Sequence, residues 1–382
     1  MGIKLLTYQH EKRGSRLPFT TDPEDLAADS MYEKIGKDVT LKSIGIDGSM
    51  FIHAFIVSSQ EDNNDKKKKK DKEQTEEQEN QEEIEPEKKI IVNIDMSANA
   101  IAYKMVDYIN HTLSFFKAFG DVATHPIIIH IVVDSNPPVK KNRPENKKNT
   151  LYSCMSAQDR SDLYRLTLNN VRGLLERKPN LKILSNFMEE ERREGEIELY
   201  SLCQAINQKH QGDHSIRNVI ISSDTDVVAM MVFNRDKTLV IMTNVKSRLY
   251  ILNYEVMRLG LFMTDDQLLR YTLLHFLLFG SDYNLGLLPY PSEARQRLIG
   301  SAVRDGVKNV NTVCCMIMRK ARNKKRPDQK LLKLRNDLLL EGLCAALYYS
   351  SVGNRSYLTK HSPLLYINEP KVRRTIPRLS FW

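Results

Sequence analysis

Four aspartates in this 382-residue chain stand where short apolar runs stop. Asp47 closes the run Ile44–Ile46, Asp134 follows PIIIHIVV at 126–133, and Asp224 and Asp226 follow NVII at 218–221 through two serines. Glu194, Glu196 and Glu198 open a helical pattern, and Asp282 follows a long apolar helical stretch. Taken singly, an Asp at such a place reads as a helix cap or a turn residue. Taken together, carboxylates delivered to one place repel one another unless cations neutralise them. Oxygen donors suit hard divalent ions such as Mg²⁺ or Mn²⁺, and these segments hold few His and no Cys, which disfavours zinc. Two such ions ~4 Å apart can activate water and stabilise the leaving oxygen of a phosphodiester.

The elements that must position these acids are legible in the apolar periodicity. Ser43–Phe55, SIGIDGSMFIHAF, reads as a buried strand, a tight turn at Asp47-Gly48-Ser49 and a helix start. Ala98–Phe119 has helical spacing at Ile101, Met105, Tyr108, Ile109, Leu113 and Phe116, and Pro126–Val133 reads as a second buried parallel strand. A polar helix is expected over 157–177, a third strand at 181–184 and an acidic helix start running over 189–208. A fourth strand is expected at 218–221, two more at 239–243 and 249–252, and an amphipathic helix over 264–280. Strands alternating with helices predict an α/β fold around a mostly parallel sheet. In such a sheet the strand C-termini share one edge where ligand sites gather, and there Asp47, Asp134, Asp224 and Asp226 would meet.

Composition narrows the partners. The chain is 41% hydrophobic, which suits a globular core, and carries a formal charge of +9. Residues 60–89, QEDNNDKKKKKDKEQTEEQENQEEIEPEKK, have almost no apolar side chains and read as a disordered low-complexity insertion. Eight Lys and twelve Asp/Glu between 61 and 90 give that stretch a net of −4, so the remainder carries +13 and invites a polyanion. Five scattered cysteines form no Cys-x-x-Cys pair and read as reduced thiols in an intracellular protein. No stretch approaches the roughly 18 to 20 apolar residues of a membrane span, and MGIKLLTYQHEKR lacks the apolar segment of a secretory signal.

Six short motifs, in order, resemble the flap endonuclease/XPG nucleases of the PIN-like superfamily, with the Xrn-type 5′→3′ exoribonucleases as cousins. They are Met1-Gly2-Ile3, IDGSMFIHAF at 46–55, VVDSNPPVKK at 132–141, EGEIE at 194–198, SSDTDVV at 222–228 and LLFGSDYNLGL at 277–287. The resemblance implies a PIN-like nuclease domain over 1–290, interrupted by 60–89, and a basic, mostly helical C-terminal region over 291–382. It implies a phosphodiester hydrolase that holds two Mg²⁺ or Mn²⁺ ions through Asp47, Asp134, Asp224, Asp226 and Asp282. Its glutamate pair is Glu196 and Glu198 in the flap-endonuclease pattern, or Glu194 and Glu196 in the exoribonuclease pattern. Lys141 and Lys148 fall where the family grips the scissile phosphate, and Gly2 and His53 where it meets nucleic acid. DNA is the implied substrate ahead of RNA, in replication or repair in the nucleus, with Lys66–Lys70 as an import signal.

The chain also departs from that family. Ser135 replaces a Gly, and after Asp282 the sequence NLGLLPYPSEARQRL carries Pro289 and Pro291 where flap endonucleases have a Gly-rich loop holding duplex phosphates. Proline has no amide to donate, so weaker duplex selectivity is expected, with binding carried by cations such as those at 319–335. A sliding clamp is a further partner of the family, although Phe381-Trp382 lacks the leading Gln of its binding motif.

Overall fold

The computed structural model describes residues 17–52, 54–55, 93–120, 126–133, 156–178, 180–186, 195–210, 213–236, 238–243 and 249–279. Seven strands form one sheet: β1 Leu17–Pro18, β2 Thr40–Asp47, β3 Ile127–Val132, β4 Leu181–Ser185, β5 Ile216–Ile221, β6 Leu239–Thr243 and β7 Leu249–Leu252. Their order across the sheet is β1-β7-β6-β5-β2-β3-β4. From β6 to β4 every pairing is parallel, while β7 runs antiparallel to β6 and β1 antiparallel to β7. The α/β class with a mostly parallel sheet is therefore present. The antiparallel flank adds what periodicity did not show, because β1 is only two residues long.

The helices are α1 Pro23–Ala28, α2 Ser30–Gly36, α3 Ile94–Lys117, α4 Ala157–Leu175, α5 Gly195–Lys209, α6 Thr225–Phe233, α7 Tyr254–Gly260 and α8 Asp265–Phe279, with residues 48–52 and 54–55 also helical. Several starts are capped as their sequences allow. The Asn93 side chain accepts from Met96 N to open α3, and Ser156 with Asp159 forms a capping box at α4. The short helices α1, α2 and α7 escaped the periodicity, since two turns carry too few apolar positions to show a period.

The two faces of the sheet differ. Parallel register aligns Ile44, Ile46, Ile129, Ile131, Val219 and Ile221 on one face. They join one buried cluster with Ile101, Met105, Ile109, Phe115 and Phe116 of α3 and with Leu163, Leu168 and Val171 of α4. The opposite face presents Ser43, Gly45 and Asp47 of β2, His130 of β3, and Asn218 and Ser222 at β5. Helix α5 covers this second face, and Gly45 lets it come close: a Cβ there would lie 2.7 Å from Leu199 Cδ2. Helix α6 is apolar all round, with every residue from Val227 to Val232 buried, as a helix enclosed by the fold must be. Among the described residues no helix is long and apolar enough to cross a membrane.

The expected insertion at 60–89 and the expected C-terminal region from 291 lie outside the described residues.

Candidate active site at the strand ends

β2 occupies the centre of the sheet, with β3 on one side and β5 on the other. From β2 the chain passes to β3 and on to β4. It then returns to β5, on the other side of β2, and continues outward to β6. The connections leaving β2 and β5 thus diverge, which opens a crevice beyond their C-terminal ends, the place where open α/β sheets bind ligands.

Three of the expected aspartates stand at this crevice. Asp47 is the last residue of β2, and Ser222 follows β5 directly, level with it in the parallel register. Ser222 Oγ donates to Asp47 Oδ2 at 3.1 Å and accepts from the Asp224 amide at 3.0 Å. Asp224 Oδ1 accepts from the Asp226 amide at 2.9 Å, which caps α6. Asp47 Oδ1 accepts from the Met50 amide at 3.2 Å, so the same carboxylate holds the start of the helical segment that follows it. One hydrogen-bonded row therefore runs from the end of β2 through Ser222 to the first turn of α6.

Capping accounts for part of this arrangement, but not for its burial. Asp47, Asp224, Asp226 and Glu196 are 6%, 9%, 5% and 7% exposed, whereas cap residues ordinarily sit in solvent. Burying acidic groups to this degree costs free energy that a bound cation would recover. All four are hard oxygen donors, so the set fits Mg²⁺ or Mn²⁺ in chemistry. Among the described residues no group of three or more His, Cys, Asp or Glu is arranged to hold a metal ion. The expected set draws also on Asp134, Glu194 and Asp282, which lie outside the described residues, as do Gly2, His53, Lys141 and Lys148.

Two neighbours shape the edge. A Cβ on Gly48 would lie 2.8 Å from the Val132 carbonyl oxygen, so the turn after Asp47 presses on the end of β3, and only Gly allows that approach. Helix α5 brings Glu196 and Glu198 in its first turn. Residues two apart on a helix point ~200° away from each other, and the pair separates accordingly. Glu196 is buried, whereas Glu198 accepts from Asn186 Nδ2 at 2.9 Å and lies 3.3 Å from His130 Nε2.

Sequence reasoning missed Ser222, Asn186 and His130 as parts of this region. His130 carried a signal, since in PIIIHIVV it falls in the phase opposite to Ile129 and Ile131. Ser222 stands inside the SSDTDVV motif, where its hydroxyl carries no signal of its own, and Asn186 has none in its neighbourhood. Behind the site, Tyr200 donates to the buried Asp236 at 2.9 Å, and Gln204 and Asn207 bond the same carboxylate. Burial, then Asp236, pushes the Tyr200 hydroxyl well above its usual range, and the same two causes push the Cys203 thiol up.

No family model and no curated protein matches the chain. Among solved structures it is similar to the catalytic core of Rad2 in complex with DNA substrate. Complex II shares 16% identity over 86% of this chain and 78% of that chain with a TM-score of 0.37, and complex IV 14% over 92% and 84% with a TM-score of 0.39. It is also similar to flap endonuclease-1 from Methanococcus jannaschii, with 15% identity over 85% of this chain and 96% of that chain and a TM-score of 0.33.

Proposed function

We propose that the protein is a divalent-metal-dependent nuclease that hydrolyses phosphodiester bonds near 5′ ends, with branched or flapped DNA as its substrate in replication or repair. The observation that carries this reading is the buried row of Asp47, Asp224 and Asp226, drawn from two adjacent strand ends at the crevice of a parallel sheet. The ordered acidic motifs of the sequence support it independently. Asp47, Glu196, Asp224 and Asp226, with Asp134 and Asp282, would hold Mg²⁺ or Mn²⁺. When bound, the ions supply Lewis acidity toward the phosphodiester.

The chain's own groups prepare that site. The Ser222 hydroxyl and the Met50 amide each bond one oxygen of Asp47 and so fix the plane of its carboxylate. Lys141 and Lys148 would neutralise charge developing on the phosphoryl oxygens, and His53 would stack on a base. A second reading, an exoribonuclease of the Xrn type, is favoured by Glu198, whose carboxylate is engaged by Asn186 and His130 and leaves Glu194 and Glu196 as the acidic pair. Cleavage of a 5′-flap DNA and of a 5′-monophosphorylated RNA, each with Mg²⁺ and with chelator, tests both. Mg²⁺-dependent flap cutting is expected, preferential RNA degradation would shift the assignment to the second reading, and no cutting of either would overturn both.

A further inference from the structure

The Asn186 side chain does the work of a backbone residue. Paired residues of β3 and β4 end at Ile131 and Ser185, one position short of Asn186. Beyond that point Asn186 Oδ1 accepts from the Val133 amide at 3.0 Å and Asn186 Nδ2 donates to the Val133 carbonyl at 3.0 Å. The side-chain amide thereby adds one rung to the ladder and grips both polar groups of the residue that precedes Asp134. Nδ2 spends its second hydrogen on Glu198 Oε2 at 2.9 Å, so both donors are used. Rotating the amide by half a turn would set its oxygen against the Val133 carbonyl and the Glu198 carboxylate, so only one orientation works. Glu198 is held in turn by His130, whose Nε2 lies 3.3 Å from Oε1 and whose ring is largely buried on β3. Three elements, β3, the end of β4 and the first turn of α5, thus converge on one backbone position.

We infer that Asn186, Glu198 and His130 form a positioning clamp that fixes the backbone at Val133, just past the C-terminal end of β3, and that Glu198 is a member of this clamp and not a metal ligand. The inference rests on the nuclease reading for its functional half. It deepens that reading, because it separates Glu198, which supports the backbone, from Glu196, which is buried in the same helical turn. Supporting groups of this kind commonly change metal affinity or activity about 10- to 100-fold when replaced.

The test sets Glu198→Gln, Asn186→Asp and the double variant beside Asp226→Ala, each in the whole 382-residue chain. Three quantities are read: Mn²⁺ affinity by calorimetry, cleavage of a 5′-flap DNA, and amide exchange of a peptide ending at Val133. Glu198→Gln keeps an oxygen acceptor for Asn186 and is expected to bind Mn²⁺ within a few-fold of wild type. Asn186→Asp sets carboxylate oxygens against the Val133 carbonyl and Glu198. It is expected to speed exchange at Val133 and to lose about 10- to 100-fold in Mn²⁺ affinity or cleavage while remaining folded. The combined variant restores a donor opposite the new carboxylate, so its loss should be smaller than the product of the two single losses. Loss of Mn²⁺ binding in Glu198→Gln as complete as in Asp226→Ala would make Glu198 a ligand and overturn the inference, as would unchanged Val133 exchange in Asn186→Asp. A wild-type chain with no metal-dependent cleavage would instead defeat the nuclease reading, and exchange at Val133 would still judge the clamp.

Discussion

The two faces of the central sheet show how one set of strands serves two purposes. The face under α3 and α4 carries Ile44, Ile46, Ile129, Ile131, Val219 and Ile221, all buried in one apolar cluster. The face under α5 places Ser43, His130, Asn218 and Ser222 among its residues and ends in the buried acids. Both faces belong to the same strands in the same register, separated only by the alternation of side chains. The first face is apolar at these positions, and the second mixes apolar residues with polar ones and ends in the candidate acids. The apolar face can therefore offset the cost of the acids gathered at the edge of the other.

The largest effect that would sharpen this contrast is on activity. Asp226→Ala should abolish Mg²⁺-dependent cleavage while leaving the thermal midpoint without metal unchanged or raised, because one of several mutually repelling buried acids is removed. Asp47→Ala should abolish cleavage as well but lower the midpoint, because the bonds from Met50 and Ser222 are lost with it. Cleavage at the wild-type rate by either variant would break the assignment of the polar face to function.

Next in size is a change on the apolar face. Ile46 is fully buried among α3 and sheet residues, and Ile46→Ala should cost about 2–5 kcal/mol by urea denaturation, with activity per folded molecule retained. Because Ile46 adjoins Asp47 in sequence, a selective loss of activity without loss of stability there would blur the division between the faces.

Gly48→Ala should act between the two. A methyl group 2.8 Å from the Val132 carbonyl forces the turn after Asp47 away from β3. Cleavage should fall further than the thermal midpoint does, and a variant indistinguishable from wild type in both would show that the turn is not held tightly.

The smallest effect concerns Cys203, buried on α5 beneath the polar face. Burial, with Asp236 nearby, holds its thiol protonated, and the thiolate is the reactive form. Iodoacetamide at neutral pH should leave the Cys203 peptide unmodified in the native chain and modify it in urea, as read by mass spectrometry. Rapid native labelling would mean that α5 lifts readily from the sheet.

The sequence alone determined most of the architecture. Short β-branched runs ending in acids located β2, β3 and β5, and helical spacing at Ile101, Met105 and Ile109 located α3, all three of these residues being buried. Such patterns are local, so a single chain displays them without its partners. Asp47, Asp224, Asp226 and Glu196 were likewise visible as acids at element ends. What only the tertiary structure decided is which groups hold which acid. Ser222 reaches Asp47 across neighbouring strands, and Glu198 meets Asn186 and His130 from separate elements. The difference between Glu196 and Glu198, two residues apart in one motif, is set by the direction each leaves α5 and by what lies beneath it. A hydrogen bond between distant parts of the chain leaves no periodicity in either segment, so it can be read only after the sheet has brought them together.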